Sequence, residues 1–225
     1  MGWIVINRER TAGNGQRQTG DGQRATGNRY YCCVRALHTA AWMVTIMYST
    51  VPSYWLVVHS LARRWAREGG RPLWRIGPLW PLLWVLMAGI TWRWRTVPLY
   101  HRTWSWFPGG LLIVSGLAIY WFAGQGFSWK QVLGYAELEP HRYEQKLQAG
   151  GIRARLRHPY YLGHLCELAG WCAGSGLAVV YGMTGFAILT GYFMVQAEER
   201  ELEQRLGDEY RRYRQRTAAM FPGIW

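Results

Sequence analysis

The sequence predicts an all-α integral membrane protein with about five transmembrane helices, three successive spans and a C-terminal hairpin, followed by a cytoplasmic helix. The first observation behind this is where charge is missing. Positions 36–62, 76–92, 103–129, 158–166 and 168–197 contain no Asp, Glu, Lys or Arg, in a 225-residue chain that holds 26 basic and 13 acidic side chains. A soluble helix carries charge along its outer face at helical period and does not leave such stretches bare. The second observation is the placement of Trp74, Trp92, Trp94, Trp104, Trp106 and Trp129 at the boundaries of these stretches. An amphipathic ring is favoured at the level of the lipid headgroups.

Residues 1–33 are expected to form a disordered basic tail. From Asn7 to Arg29 the only apolar residues are Ala12 and Ala25, too little surface to offset the cost of ordering the chain. The apolar patch Trp3 to Ile6 is too short for the core of a signal peptide, and the start does not match a myristoylation site.

Residues 34–127 are expected to hold three spans. The first runs from about Val34 to Leu61 and contains Pro52, which a membrane helix tolerates where a neighbour satisfies the carbonyl it frees. Arg63, Arg64, Arg67 and Arg71 follow it. The second, about Ile76 to Trp92, has Pro78 and Pro81 near its start and is barely long enough for roughly 30 Å of hydrocarbon. The third, about Trp106 to Phe127, opens at Pro108 and carries Gly109, Gly110 and Gly116, which let a neighbouring helix approach closely.

Residues 128–225 begin with a polar loop to position 158. From Tyr160 to Gln196 the chain is apolar, with seven glycines and Glu167 as its only charge. Two full crossings need about 40 residues, which predicts a tight hairpin turning between Gly174 and Gly182. The last 28 residues are dense in charge and predict an amphipathic helix outside the hydrocarbon. Three crossings and a hairpin put the first loop, the third loop and the C-terminus on one side, with 17 of the 26 Lys and Arg. That side is expected to be cytoplasmic, which places the six arginines up to Arg35 on the other side, against the same rule.

Several function classes drop out. There is no GxGxxG after a strand, no Walker loop, no GxSxG and no HExxH. Cys32, Cys33, Cys166 and Cys172 lack zinc spacing and read as structural, so no metal is expected. The arginines sit at span ends and not along one face, so no nucleic acid is expected as a partner.

What remains lies in the third loop, the hairpin and the C-terminal segment, which hold 10 of the 13 acidic residues. Arg153, Arg155, Arg157 and His158 stand immediately before a helix with Pro159 as its first residue. A helix N-terminus reinforced by cations favours a carboxylate or phosphate. The simpler reading is that these arginines only anchor the chain at the cytoplasmic surface.

The run Arg157, His158, Pro159, Tyr160, Tyr161, Leu162, Gly163, followed by Glu198-Glu199 and by Gly207, Asp208, Glu209, Tyr210, Arg211, Arg212, Tyr213, resembles the C-terminal half of the isoprenylcysteine carboxyl methyltransferase and phospholipid methyltransferase group. The resemblance covers roughly residues 145–222. It implies a membrane enzyme that uses S-adenosylmethionine at the cytoplasmic surface, with 128–225 as the catalytic region and membrane lipid or a hydrophobic small molecule as methyl acceptor. By position it implies that His158, Pro159, Tyr160 and Tyr161 line the cofactor pocket and that Glu199 reaches it. Leu147 and Gln148 would approach the cofactor through the backbone. Arg153 stands where the group usually has Tyr. Met194 stands where the prenylcysteine enzymes carry the Arg that holds the substrate carboxylate, which weakens the case for a prenylcysteine.

Methyl transfer from a sulfonium needs alignment and exclusion of water more than a metal or covalent intermediate. An amine or thiol acceptor must lose a proton, and Glu167 is the expected catalytic base. A lone carboxyl in an apolar hairpin is costly when ionised and should be paired, face a cavity, or be tuned as a base. Its bland role is a structural hydrogen bond, by way of His164 one turn earlier. His38 and His59 are expected at the interface, Tyr210 and Tyr213 packed on the membrane surface, and Glu201, Glu203 and Arg205 on a solvated face. Two rivals remain: an NADPH-dependent reductase of the sterol reductase type, suggested by the ending AAMFPGIW, and a non-enzymatic membrane scaffold.

Overall fold

A computed structural model describes residues 12–68, 76–126 and 146–221, with Ser128, Lys130, Tyr135 and Tyr143 between the last two. Among the described residues the chain is helical: α1 Ala12–Glu68, α2 Leu79–Thr91, α3 Trp106–Gly124, α4 Pro159–Ser175, α5 Ala178–Leu206 and α6 Asp208–Arg216. Three helical stretches, Cys32–Ala62, Thr103–Gly124 and Ala178–Leu206, are long and apolar enough to cross a membrane.

Three expectations need correction. The tail is not disordered from Ala12 onward but continues α1 without a break. Once a helix is nucleated each added residue gains a hydrogen bond, and this helix has no proline before Pro52. The second span is shorter than expected. Its α-helix, Leu79–Thr91, has 13 residues, about 20 Å at 1.5 Å per residue, because Pro78 precedes it and a 3-10 turn, Trp92–Trp94, follows. The last 28 residues are not one amphipathic helix. With no proline within it, α5 runs 29 residues to Leu206, about 44 Å. The uncharged part, 178–197, is about 30 Å long and the charged remainder projects beyond it. Gly207, at φ 58°, then separates the short α6.

α1 runs antiparallel to α2 and α3 antiparallel to α4, whereas α1 and α5 run parallel, with Trp42 beside Val180 and Pro52 beside Gly191. α2 is hooked to α1 at both ends: Trp80 Nε1 donates to Thr50 Oγ1 at 3.2 Å, and Trp42 Nε1 donates to Thr91 Oγ1 at 2.9 Å. α3 packs along α4 and α1 along α5. Between α3 and α4 the contact is made by glycines. A Cβ on Gly109 would stand 2.7 Å from the Gly170 carbonyl oxygen, and one on Gly116 would stand 2.8 Å from that of Gly163. Gly109 and Gly116 thus act as expected, whereas Gly110 faces open space. Outward faces remain apolar, with Val85 70%, Phe107 75% and Trp121 72% exposed. An unpartnered apolar surface of this kind suits lipid rather than water.

Pro52 cannot donate to the carbonyl of Tyr48 one turn earlier. His164 of α4 does so instead, with Nε2 2.7 Å from that oxygen, the compensation that a proline in a membrane helix requires.

The hairpin turns at Gly176 and Leu177, inside the expected window, with Gly176 at φ 63°. The segment before α3 clamps the turn. Leu99 N–H donates to Gly176 O at 2.7 Å, and the Tyr100 hydroxyl donates to Ala173 O at 2.7 Å. A Cβ on Gly176 would lie 2.8 Å from Tyr100 O. Gly176→Val should therefore lower the thermal midpoint of the detergent-solubilised protein by several degrees, through a left-handed backbone and a steric clash, a loss of about 2 kcal/mol. An unchanged midpoint would mean that the turn relaxes freely.

Candidate functional site

The end of the bundle opposite the hairpin turn holds a partly open cavity of about 450 Å³, in the range of small-molecule sites. Its charged end is built by the segment before α4, by the end of α5 and by α6. Arg157 and His158 backbone N–H groups donate to the carbonyls of Ala218 and Ala219, at 2.8 and 2.9 Å, so the C-terminal segment pairs with the loop. Tyr213 Oη donates to the Arg153 carbonyl at 2.7 Å, and the Arg157 guanidinium donates to the carbonyls of Arg214 and Thr217.

Glu199 ties these pieces together. Its Oε1 accepts from Arg157 Nε at 2.8 Å and lies 3.0 Å from His158 Nε2, while Oε2 is 3.3 Å from Arg214 Nε. Glu198 Oε2 lies 3.4 Å from His158 Nδ1. His158, 4% exposed, thus stands between two carboxylates. Burial works against its charged form, but the Glu198 charge and the hydrogen bond to Glu199 outweigh it and raise its pKa to about 9. Burial likewise works against both carboxylates, and His158 holds each below the usual range. Burial lowers the Arg153 guanidinium; one of its nitrogens donates to Ala123 O at 2.6 Å, at the end of α3.

An unfolded histidine releases its proton near pH 6.5, and the folded protein holds that of His158 to about pH 9. The stabilisation is complete below the lower value and is lost as pH rises through the upper one. Thermal midpoints measured from about pH 6 to about pH 10 should fall on that flank, and fall less in His158→Gln. Equal slopes in both proteins would disprove the charged cluster.

Leu147, Gln148, Arg153, His158, Pro159, Tyr160 and Tyr161 all line this cavity. Two expected residues do not. Glu199 sits behind the wall and acts on the cavity through His158 and Arg157, and the glutamate in the wall is its neighbour Glu198. Adjacent residues on a helix point about 100° apart, so a sequence motif that contains both does not say which one faces inward. Glu167, the expected base, is buried at 2% exposure, but it packs against α3, its Cγ 3.0 Å from where a Cβ on Gly116 would be. It is absent from the cavity wall. His164 takes the cavity-facing position on α4 and bonds Tyr120 and Tyr48 rather than Glu167.

Other expectations shift with burial. His59 is buried and lines the cavity instead of lying at the interface, stacked on Trp55 at 5.6 Å. Tyr210 and Tyr213 are buried cavity residues, not a surface layer. Glu201 is buried and paired with Arg205 at 3.0 Å, so the run it belongs to is not wholly solvated. Trp74 and Trp129 lie outside the described residues, while Trp92, Trp94 and Trp104 are exposed. The regular signal that could have found Tyr210 and Tyr213 is their spacing of three, which puts both on one helix face.

No family model, no curated protein and no solved structure matches the chain.

Proposed function

We propose that this chain is a multi-pass integral membrane methyltransferase that uses S-adenosylmethionine, of the isoprenylcysteine carboxyl methyltransferase and phospholipid methyltransferase kind. The observation that carries the reading is the convergence of Leu147, Gln148, Arg153, His158, Pro159, Tyr160 and Tyr161 on one cavity whose charged end Glu199 organises. These residues come from the loop and helix start that carry the resemblance, and nothing in a simple anchoring role requires them to share a cavity.

The donor set fits the cofactor. Cationic groups at Lys146, Arg157 and His158 suit its carboxylate, Glu198 suits its amine, and the rings of Tyr160, Tyr161 and Tyr210 suit its base and its sulfonium. When bound, the cofactor supplies an electrophilic methyl on a positive sulfur. The chain's residues orient both partners and keep water out, with the cavity roofed by α6 and floored by α1, α2 and α3. Counting positive charge, the first loop, the third loop and the C-terminus face the cytoplasm, and the cofactor enters there.

Titration calorimetry on purified protein should detect one site for S-adenosylmethionine. At about 100 times Kd the ligand should stabilise the fold by about 2.7 kcal/mol in thermal unfolding, and NADPH should not. Protection by NADPH alone would favour a reductase, and binding of neither cofactor would sink the enzymatic reading.

A further inference from the structure

The inner end of the cavity holds a polar pair that the cofactor reading leaves unused. Tyr120 of α3 and His164 of α4 both line it, the hydroxyl 3.0 Å from Nδ1. Their partners decide which atom carries which proton. Nε2 faces the Tyr48 carbonyl, which can only accept and which Pro52 has deprived of its helical donor. In the neutral ring Nδ1 is then an acceptor, so Tyr120 donates to it and keeps its oxygen lone pairs for the cavity. Tyr48 stacks on the imidazole at 4.9 Å and 17°, which holds the ring in place. The rest of this end is Met47, Val51, Trp55 and Trp80.

We propose that this inner end is the methyl-acceptor subsite and that it takes an apolar thiol, whose S–H donates to the Tyr120 oxygen. The proposal rests on the methyltransferase reading above. A carboxylate would bring only acceptor oxygens to an oxygen whose proton is already committed to His164. The cavity cations Lys146, Arg153, Arg157 and His158 come from the loop before α4; Arg157 and His158 are held by Glu199, and Arg153 is held by the Ala123 carbonyl over the Tyr160 ring. An alkylammonium would bring a charge against apolar walls with Glu167 outside them. A thiol enters neutral and has one proton to lose.

In the transfer, the acceptor sulfur forms its bond to the methyl carbon, the methyl–sulfonium bond of the donor breaks, and that electron pair stays on the donor sulfur. The thiol proton passes to the Tyr120 oxygen as the Tyr120 proton passes to His164 Nδ1. His164 returns it to water by the same route when the products leave. Tyr120 is the catalytic residue and His164 a positioning residue that acts through it. Tyr48, Tyr160, Cys166 and Glu167 are the other titratable groups around Tyr120.

The test uses the full chain in lipid nanodiscs, with 1-octanethiol, octylamine and octanoate as probes and S-adenosylmethionine as donor. Octanethiol should be methylated in preference to the other two. Tyr120→Phe should lower kcat about 100-fold and, with no donor present, weaken octanethiol binding in calorimetry about fivefold. His164→Gln, whose amide N–H can still reach the Tyr48 carbonyl, should lose rate at neutral pH and regain it as pH approaches the pKa of the thiol. A purely structural role would give no such recovery. Glu167→Gln should keep the rate. Preference for octylamine or octanoate, a wild-type rate in Tyr120→Phe, or no recovery in His164→Gln overturns the subsite. Cofactor binding without methylation of any probe also overturns it and leaves the methyltransferase reading standing, whereas absent cofactor binding removes that reading instead.

Discussion

Glu199→Ala should cost about 3–5 kcal/mol of stability and abolish measurable binding of S-adenosylmethionine. The carboxylate is 6% exposed and contacts Arg157, His158 and Arg214. Removing this carboxylate strips the buried Arg157 guanidinium of its acidic partner and leaves the buried, charged His158 to Glu198, which is where the large figure comes from. The effect on binding follows from what Arg157 and His158 do besides. Their backbones pair with Ala218 and Ala219, and the Arg157 side chain holds Arg214 and Thr217. Losing Glu199 therefore loosens the whole C-terminal roof of the cavity. Glu199→Gln keeps an acceptor oxygen and should show a clearly smaller loss. Thermal unfolding and calorimetry on both variants check this, and a Glu199→Ala protein that unfolds and binds like the wild type would refute the arrangement.

Gly170→Leu should cost about 3 kcal/mol or more and should also degrade the inner end of the cavity. A Cβ at this position would stand 2.6 Å from Ile113 Cγ1 and 2.7 Å from the Gly109 carbonyl oxygen. The second of these is backbone and cannot turn aside, so α3 and α4 must separate. Tyr120 and His164 meet across that same interface, at 3.0 Å, and separation would break their bond. Gly110→Ala is the control, because nothing lies within 4 Å of the added carbon. Its midpoint should stay level or rise slightly, since Ala is the better helix former. Equal behaviour of the two variants would show that the close approach carries no stability.

Much of the chain was legible from its residue order. The hairpin turn and the close-packing glycines Gly109 and Gly116 fall where the sequence puts them, and seven of the residues singled out by the resemblance line one cavity. Charge-free length and glycine spacing are local properties, and lipid as solvent makes them decisive. The misread parts are those where the signal was weak or non-local. Nothing in composition says that α5 runs past Gln196 into the charged segment, because apolar and polar stretches can share one unbroken helix. The length of α2 was misjudged because hydropathy counts residues, and the proline at its start and the 3-10 turn at its end remove several of them from the helix.

The order of residues was enough to imply helices that suit a membrane and to single out the loop that ends in His158, since both rest on which side chains follow one another. The assignment of Glu198 and not Glu199 to the wall, of His164 and not Glu167 to the cavity, and of Tyr48, Tyr120 and His59 to the same space came from packing. Those outcomes depend on the rotation of each helix about its own axis, which is set by contacts such as Gly116 against Gly163 between segments far apart along the chain. A neighbour 44 residues away leaves no trace in the local pattern, and so Tyr120 could not be paired with His164 until the helices were in place.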